Sequence, residues 1–169
     1  MLLATDIQYS EDSAIAAGVL FSNWTDATAS QTITTHIHGI APYEPGAFYK
    51  RELPCILALL NEIAEEISAI VVDGYVTLGS QQKPGLGMYL FNHLEKAVAV
   101  VGVAKNKFSD TPADCEVRRG HSQKPLFVTA AGLPVETAKS YVAQMHGEHR
   151  IPTLLKRVDQ LCRGIEPTE

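Results

Sequence analysis

The chain has no apolar run approaching the roughly 18 residues of a membrane-spanning helix. Its opening residues, Met1-Leu2-Leu3-Ala4-Thr5-Asp6, carry no basic region ahead of the apolar stretch, which argues against a secretory leader. Cysteine is scarce. Cys55, Cys115 and Cys162 show no CxxC spacing, so neither a disulfide framework nor a zinc knuckle is suggested. Basic residues are outnumbered: 14 Lys and Arg against 19 Asp and Glu give a formal net charge of -5. That balance speaks against a non-specific, charge-driven nucleic-acid binder. It leaves a nuclease open, because local basic clusters such as Arg118, Arg119, His121 and Lys124 matter more than the total. There is no internal repeat and no domain boundary. What remains is a cytoplasmic, soluble, single domain over residues 1–169, with an ordinary apolar content of 46% and enough length for one core.

The most informative stretch is Ala69-Ile70-Val71-Val72-Asp73-Gly74-Tyr75. Four apolar residues, three of them β-branched, run into a carboxylate and a glycine, which predicts a buried strand delivering Asp73 to its carboxyl end. Ligands of α/β sheets bind in the crevice beyond such strand ends. Upstream, three strands are expected at Leu2–Tyr9, Ala14–Phe21 and Gln31–His38, joined by short polar turns. A Pro/Gly-rich loop, Ala41–Gly46, precedes a helix expected from Phe48 to Glu66 on the spacing of Leu53, Ile56, Leu57, Leu60 and Ile63. Pro54 is expected in the first turn, where proline is tolerated. Downstream, a helix over Gly85–Lys96, a strand over Ala97–Ala104, an irregular polar segment over Asn106–Lys124, a strand over Leu126–Ala130 and helices over Pro134–Met145 and Pro152–Cys162 complete the chain, with a frayed tail from Gly164 to Glu169. Three antiparallel strands followed by alternating helices and strands predict an α/β fold. Its mixed five-stranded sheet carries helices on both faces, in the ribonuclease-H-like manner. Parallel pairing of the first and fourth strands would bring Asp6 beside Asp73.

Asp6, Glu52 at the head of the first helix, and Asp73 are therefore candidate ligands for a divalent cation. Magnesium is a hard cation that takes oxygen donors, and it can activate water and stabilise charge on a phosphoryl oxygen. The plainer reading is a capping aspartate, a surface glutamate and an unrelated strand-end aspartate. Lys105, closing an apolar strand, reads either as a phosphate-neutralising point charge or as a solvated strand end. Tyr43 either stacks on a base or anchors its own loop. Arg51 either pairs with an acid or contacts a nucleic-acid backbone. His36 and His38, two apart on one strand face, lack an evident third ligand and read as a polar sheet face. Gly85-x-Gly87 lacks the context of a phosphate-binding fingerprint and reads as close helix–sheet packing. Cys55 reads as core.

Several stretches in order resemble the endonuclease V family, metal-dependent nucleases that cut nucleic acid near deaminated adenine. These are Ala4–Tyr9, Pro42–Glu52, Val72-Asp73-Gly74, Pro84–Gly87, Val101–Lys105, Lys124–Thr129, Arg150-Ile151-Pro152 and Arg157-Val158-Asp159. The resemblance implies a ribonuclease-H-like fold, magnesium (or manganese) as cofactor and DNA or RNA as partner. It also implies a metal-binding and catalytic role for Asp6, Glu52 and Asp73, and a place for Lys105 near the scissile phosphate. Tyr43 would open a wedge loop that exposes the altered base. The family's histidines are replaced by Tyr75, Gly79 and Leu133, and the family places the last of these in its catalytic centre. His121 is the one nearby histidine that could reach the site from an irregular segment. The expected function is magnesium-dependent phosphodiester hydrolysis near inosine, as in DNA repair. The alternatives are an inactive nucleic-acid-binding or protein-interaction module on the same scaffold, and an unrelated hydrolase reusing the carboxylates.

Overall fold

A computed structural model describes residues 1–167; the end of the tail expected to fray, Thr168 and Glu169, lies outside the described residues. Strands β1 (Leu2–Tyr9) and β2 (Ser13–Phe21) form an antiparallel hairpin, with Leu2 opposite Phe21 and Tyr9 opposite Ala14. Strand β3 (Gln31–His38) adds antiparallel to β2. Helix α1 (Tyr49–Leu60) then crosses to β4 (Ala69–Asp73), which pairs in parallel with β1, Leu2 opposite Ala69 and Ala4 opposite Val71. A separate small hairpin of β5 (Thr77–Leu78) and β6 (Lys83–Pro84) leads into α2 (Leu86–His93), and α2 into β7 (Ala99–Ala104), parallel to β4. One 3-10 turn at Ala113–Cys115 precedes β8 (Glu116–Val117), followed by β9 (Leu126–Ala131), α3 (Val135–Gln144) and α4 (Thr153–Cys162). The main sheet runs β3-β2-β1-β4-β7-β9-β8. No helix among the described residues is long and apolar enough to cross a membrane.

The sheet has seven strands where five were expected. The two additions form its far edge. β9 runs antiparallel to β7, and the two residues of β8 pair with Phe127 and Leu126 of β9. A two-residue strand is too short to leave a periodic signal. Helix α1 ends at Leu60 rather than Glu66, although Ile63 and Ile67 still pack on the core from the following loop. Periodicity counted those contacts as helix. Pro54 lies in the second turn of α1, not the first. With no N–H, it leaves the Lys50 carbonyl without its usual partner. Helix α2 stops at His93 because Glu95 and Lys96 take up left-handed conformations, φ 56° and 61°.

Alternation along the strands sorts the core into two layers. Leu2 and Ala4 of β1 and Ala69 and Val71 of β4 face α3 and α4, packing with Val142, Leu154 and Val158. Leu3 of β1 and Ile70 and Val72 of β4 face α1 and α2, packing with Ile56, Leu59 and Leu90. Asp6 and Asp73 continue the first alternation, so both carboxylates leave the sheet on the α4 side at its carboxyl end.

Gly102 keeps this end of the sheet closed. A Cβ there would sit 2.6 Å from the Gly74 carbonyl, 2.8 Å from Thr129 Oγ1 and 2.9 Å from the Val76 nitrogen. Thr129 Oγ1 itself accepts the Val76 N–H at 2.8 Å. Gly102→Ala is expected to cost about 1–3 kcal/mol through overpacking, read as a lower chemical-denaturation midpoint at unchanged slope.

Candidate functional site

In the parallel register Ala4 lies opposite Val71, so two residues further on Asp6, still inside β1, comes level with Asp73 at the end of β4. β7, on the far side of β4, is followed directly by Lys105. Asp6 is 8% exposed, and the Ile7 backbone N–H donates to its Oδ1 at 2.8 Å. Lys105 Nζ lies 3.8 Å from Asp73 Oδ2. Glu52 enters from the first turn of α1, from the opposite layer. It is 5% exposed, and its Oε2 is buried with no hydrogen-bond partner among the described residues. A cavity of about 20 Å³ lies between Thr5, Asp6, Asp73, Lys105 and the α4 residues Leu155 and Val158. That is room for about one water-sized group.

The carboxylates disfavour one another's ionisation. Burial, reinforced by the charge of Asp73, pushes Asp6 up to about 7, against the opposing Ile7 N–H and Lys105. Burial, then Asp73 and Asp6, hold Glu52 well above the ordinary carboxylate range. Burial raises Asp73 although Lys105 acts against it. Crowded oxygen donors with an unpaired buried oxygen are what a hard divalent cation relieves, and the donor set fits magnesium.

A further acid belongs here. Among the described residues, Asp6, Asp159 and Cys162 form a group whose ligating atoms all lie within 4.8 Å of one another. Asp6, Glu52 and Asp73 converge electrostatically without forming so tight a group. Asp159 was visible only inside a closing motif. The signal that could have found it is the i, i+3 spacing of Asp159 and Cys162 beside the apolar stripe of α4, which places both on the face turned to β1.

Leu133 sits elsewhere. β9 is antiparallel to β7, with Ala131 opposite Val100, so the chain after β9 emerges at the end of the sheet opposite Lys105. Leu133 packs on the α3–α4 core there. The expectation that Leu133 leaves a gap in the catalytic centre is therefore corrected: a side chain at this position points into core at the wrong end. Gly79 takes φ +70°, a left-handed conformation in which an L side chain is strained, and a Cβ there would also displace the Asp110 carboxylate. Tyr75 has a definite task. Its hydroxyl donates to the Asn106 carbonyl at 2.6 Å and accepts the Phe108 N–H at 3.0 Å, while its ring meets Phe108 edge-on.

The remaining candidates separate clearly. Tyr43 is 62% exposed and does not pack beneath its own loop. Arg51 makes no ion pair among the described residues; its guanidinium carbon lies 3.9 Å from the centre of the Tyr9 ring. His36, His38 and His121 are exposed and join no ligating group among the described residues. Cys55 is core, and a Cβ on Gly87 would lie 3.2 Å from Val100 Cγ1 of β7, the expected close helix–sheet approach, and 2.6 Å from Val76 Cγ2 in the bend after β4. Beside the carboxylates opens a second cavity of about 280 Å³. It is mostly apolar, walled by Phe48, Tyr49, Asp73, Gly74, Tyr75 and Phe108 among others.

Asp6 binds its proton more tightly folded than unfolded, so the metal-free protein loses stability as pH rises from about 4 to about 7, and the penalty is complete above that window. Asp6→Asn should flatten this slope. Metal-free denaturation midpoints taken across that pH range check it.

The model of the family Endonuclease V matches residues 1–129. The curated endonuclease V of Streptomyces avermitilis is 28% identical over 181 residues, covering 94% of this chain and 77% of that protein. The crystal structure of an endonuclease V from Streptomyces avermitilis superposes with TM-score 0.75 at 26% identity, covering 96% of this chain and 79% of that one. The Ciona intestinalis endonuclease V (D234N) in complex with a 23mer DNA containing an inosine followed by a ribo-adenosine shares the fold, with TM-score 0.78, 19% identity, and 96% and 83% coverage. The ribonuclease-H-like architecture and the family model agree, and the chain belongs to the endonuclease V family.

Proposed function

We propose that this protein is a magnesium-dependent endonuclease that hydrolyses a phosphodiester in DNA or RNA near inosine. The observation that carries the reading is the approach of three carboxylates from separate elements, near enough for their charges to act on one another, with an unpaired buried oxygen on Glu52, beside a lysine and a base-sized apolar cavity. Family membership and the inosine-containing DNA held by the Ciona intestinalis relative support the substrate class.

Asp6, Glu52 and Asp73 would hold the cation, with Asp159 beside Asp6. When bound, magnesium (or manganese) would supply Lewis acidity toward a phosphoryl oxygen and a more acidic water. Lys105, now resting on Asp73, is a mobile point charge placed to neutralise a phosphate. The 280 Å³ cavity opens directly onto Asp73, so a base turned out of its stack into it lies next to the carboxylates. Its walls are aromatic and aliphatic faces, which suit stacking. The exposed ring of Tyr43 offers a further stacking surface outside the cavity. Arg51, held on Tyr9, fixes the start of α1 and with it Glu52, next to any backbone that Tyr43 engages.

The protein is expected to nick an inosine-containing oligonucleotide in magnesium, to stop on chelation and to resume on magnesium addition. Lys105→Ala should slow cleavage by about 10²-fold, and Asp73→Asn should remove it while substrate binding persists. Binding of the oligonucleotide without any cleavage by the wild-type protein would favour the non-catalytic module; absence of both cleavage and magnesium binding would end the reading.

A further inference from the structure

The basic cluster Arg118, Arg119, His121 and Lys124 has no part in the hydrolytic chemistry, and the fold joins it to a second basic segment. Arg119 is 5% exposed and donates through Nη2 to the carbonyls of Met145 at 2.7 Å and Gly147 at 3.0 Å. The backbone at Gly120 closely approaches that of Glu148 and His149. Arg150 donates to the carbonyls of Lys105, Lys124 and Pro125. Residues 118–125 and 146–150 are thereby stitched into one surface. Lys124 Nζ, 3.2 Å from Asn106 Oδ1, carries it up to the residue after Lys105. Leu126 and Ile151, next along the chain from Pro125 and Arg150, line the small cavity beside Asp6 and Asp73. The surface therefore adjoins the carboxylates.

Its positive charge is not neutralised from within. Arg119 and Arg150 bond only to neutral carbonyls, and neither makes an ion pair among the described residues. Arg119 Nε and Nη1 are buried with no hydrogen-bond partner there. A buried charge without a counter-ion is costly, and an anion nearby relieves that cost. Arg118 is exposed, and its 3.9 Å contact with Glu116 is worth little in water. Lys124, His121 and His149 are exposed as well, and Glu148 is the one acid within the two segments. On a chain of formal net charge -5, such a local excess creates a field that draws a polyanion to one face. Neither segment carries Phe, Tyr or Trp, so the surface offers charge without an aromatic platform for bases. We propose that it is the track for the phosphates of the nucleic acid flanking the bond that is cut, with Arg118 and Lys124 as its direct contacts. The adjoining Lys105 and carboxylates favour nucleic acid over an acidic protein as the occupant. The position of the track relative to a cut bond rests on the proposed nuclease reading; the binding does not.

Binding is read by fluorescence anisotropy on labelled DNA duplexes, with and without a central inosine, in chelator so that nothing is cut, across a salt series. Each phosphate contact contributes about 0.9 to the slope of log affinity against log salt. The full chain carrying Arg118→Ala and Lys124→Ala is expected to lose about 2 from that slope and to bind both duplexes more weakly by the same factor. Lys96→Ala, ahead of β7 at the other end of the sheet, should leave the slope as in the wild type. The charge-keeping pair Arg118→Lys and Lys124→Arg should restore it, which a merely structural role would not do. Denaturation midpoints establish that each variant is folded. A slope unchanged in the alanine pair, a loss confined to the inosine duplex, or a wild-type protein that binds neither duplex overturns the proposal. A wild-type protein that binds through this surface yet cuts nothing in magnesium supports the track while favouring the non-catalytic module.

Discussion

The parallel pairing of β1 with β4 is the constraint on which the site depends. With Ala4 set opposite Val71, the pairing of the two strands ends, and the next residue of each on the α4 side is an acid, Asp6 within β1 and Asp73 at the end of β4. A one-residue slip of either strand would turn its carboxylate to the other face of the sheet. Both strands are buried through their apolar residues on both layers, so that slip would also bury the wrong side chains throughout. The packing of Leu3, Ile70 and Val72 on one side and Ala4 and Val71 on the other thus holds acids together that repel each other.

The opposing helical layers complete the cluster from two directions. α1 brings Glu52 down from its layer, secured by Arg51 lying over Tyr9 and by Cys55, Ile56 and Leu59 in the core. α4 brings Asp159 from the other layer, anchored by Leu154 and Val158. Arg150, just before α4, ties the far side together. Its guanidinium donates to the carbonyls of Lys105, Lys124 and Pro125, joining the end of β7 to the segment that enters β9. The backbone of Lys105 is thereby fixed, while its side chain stays free to exchange Asp73 for another anion. Rigid backbone under a mobile charge suits phosphate recognition.

The segment after β7 is ordered by Tyr75. Tyr75 spends both hydrogen-bonding capacities of its hydroxyl on the backbone of Asn106 and Phe108 and so builds one wall of the larger cavity. Gly79 is favoured by its left-handed backbone, φ +70°, beside Asp110, whose Oδ2 accepts the Ser80 hydroxyl. Tyr75 and Gly79 thus both serve the local architecture of this loop. Leu133 belongs to the core at the opposite end of the sheet.

Much of this was legible along the chain. Gln31–His38 emerged at its own bounds, and Ser13–Phe21, Ala99–Ala104 and Leu126–Ala131 within a residue or two, because half-buried and fully buried strands carry their burial pattern in local residue order. The elements that carry Asp6, Glu52, Asp73 and Lys105 were legible because each has a strong local signal: Asp6 lies within β1, Glu52 in the first turn of α1, and Asp73 and Lys105 at the ends of apolar strands. Asp159 and Cys162 were not. Their meaning comes from a helix more than 150 residues along the chain packing against the first strand, and no local pattern encodes which strand a helix will cover. The same holds for Leu133, whose distance from the site follows only from the antiparallel direction of β9. Sequence alone determined which stretches form strands and helices and where acids sit within them, since those depend on periodicity and turn chemistry. Only the tertiary structure decided which acids meet, because that is set by strand order, direction and the layer each helix takes.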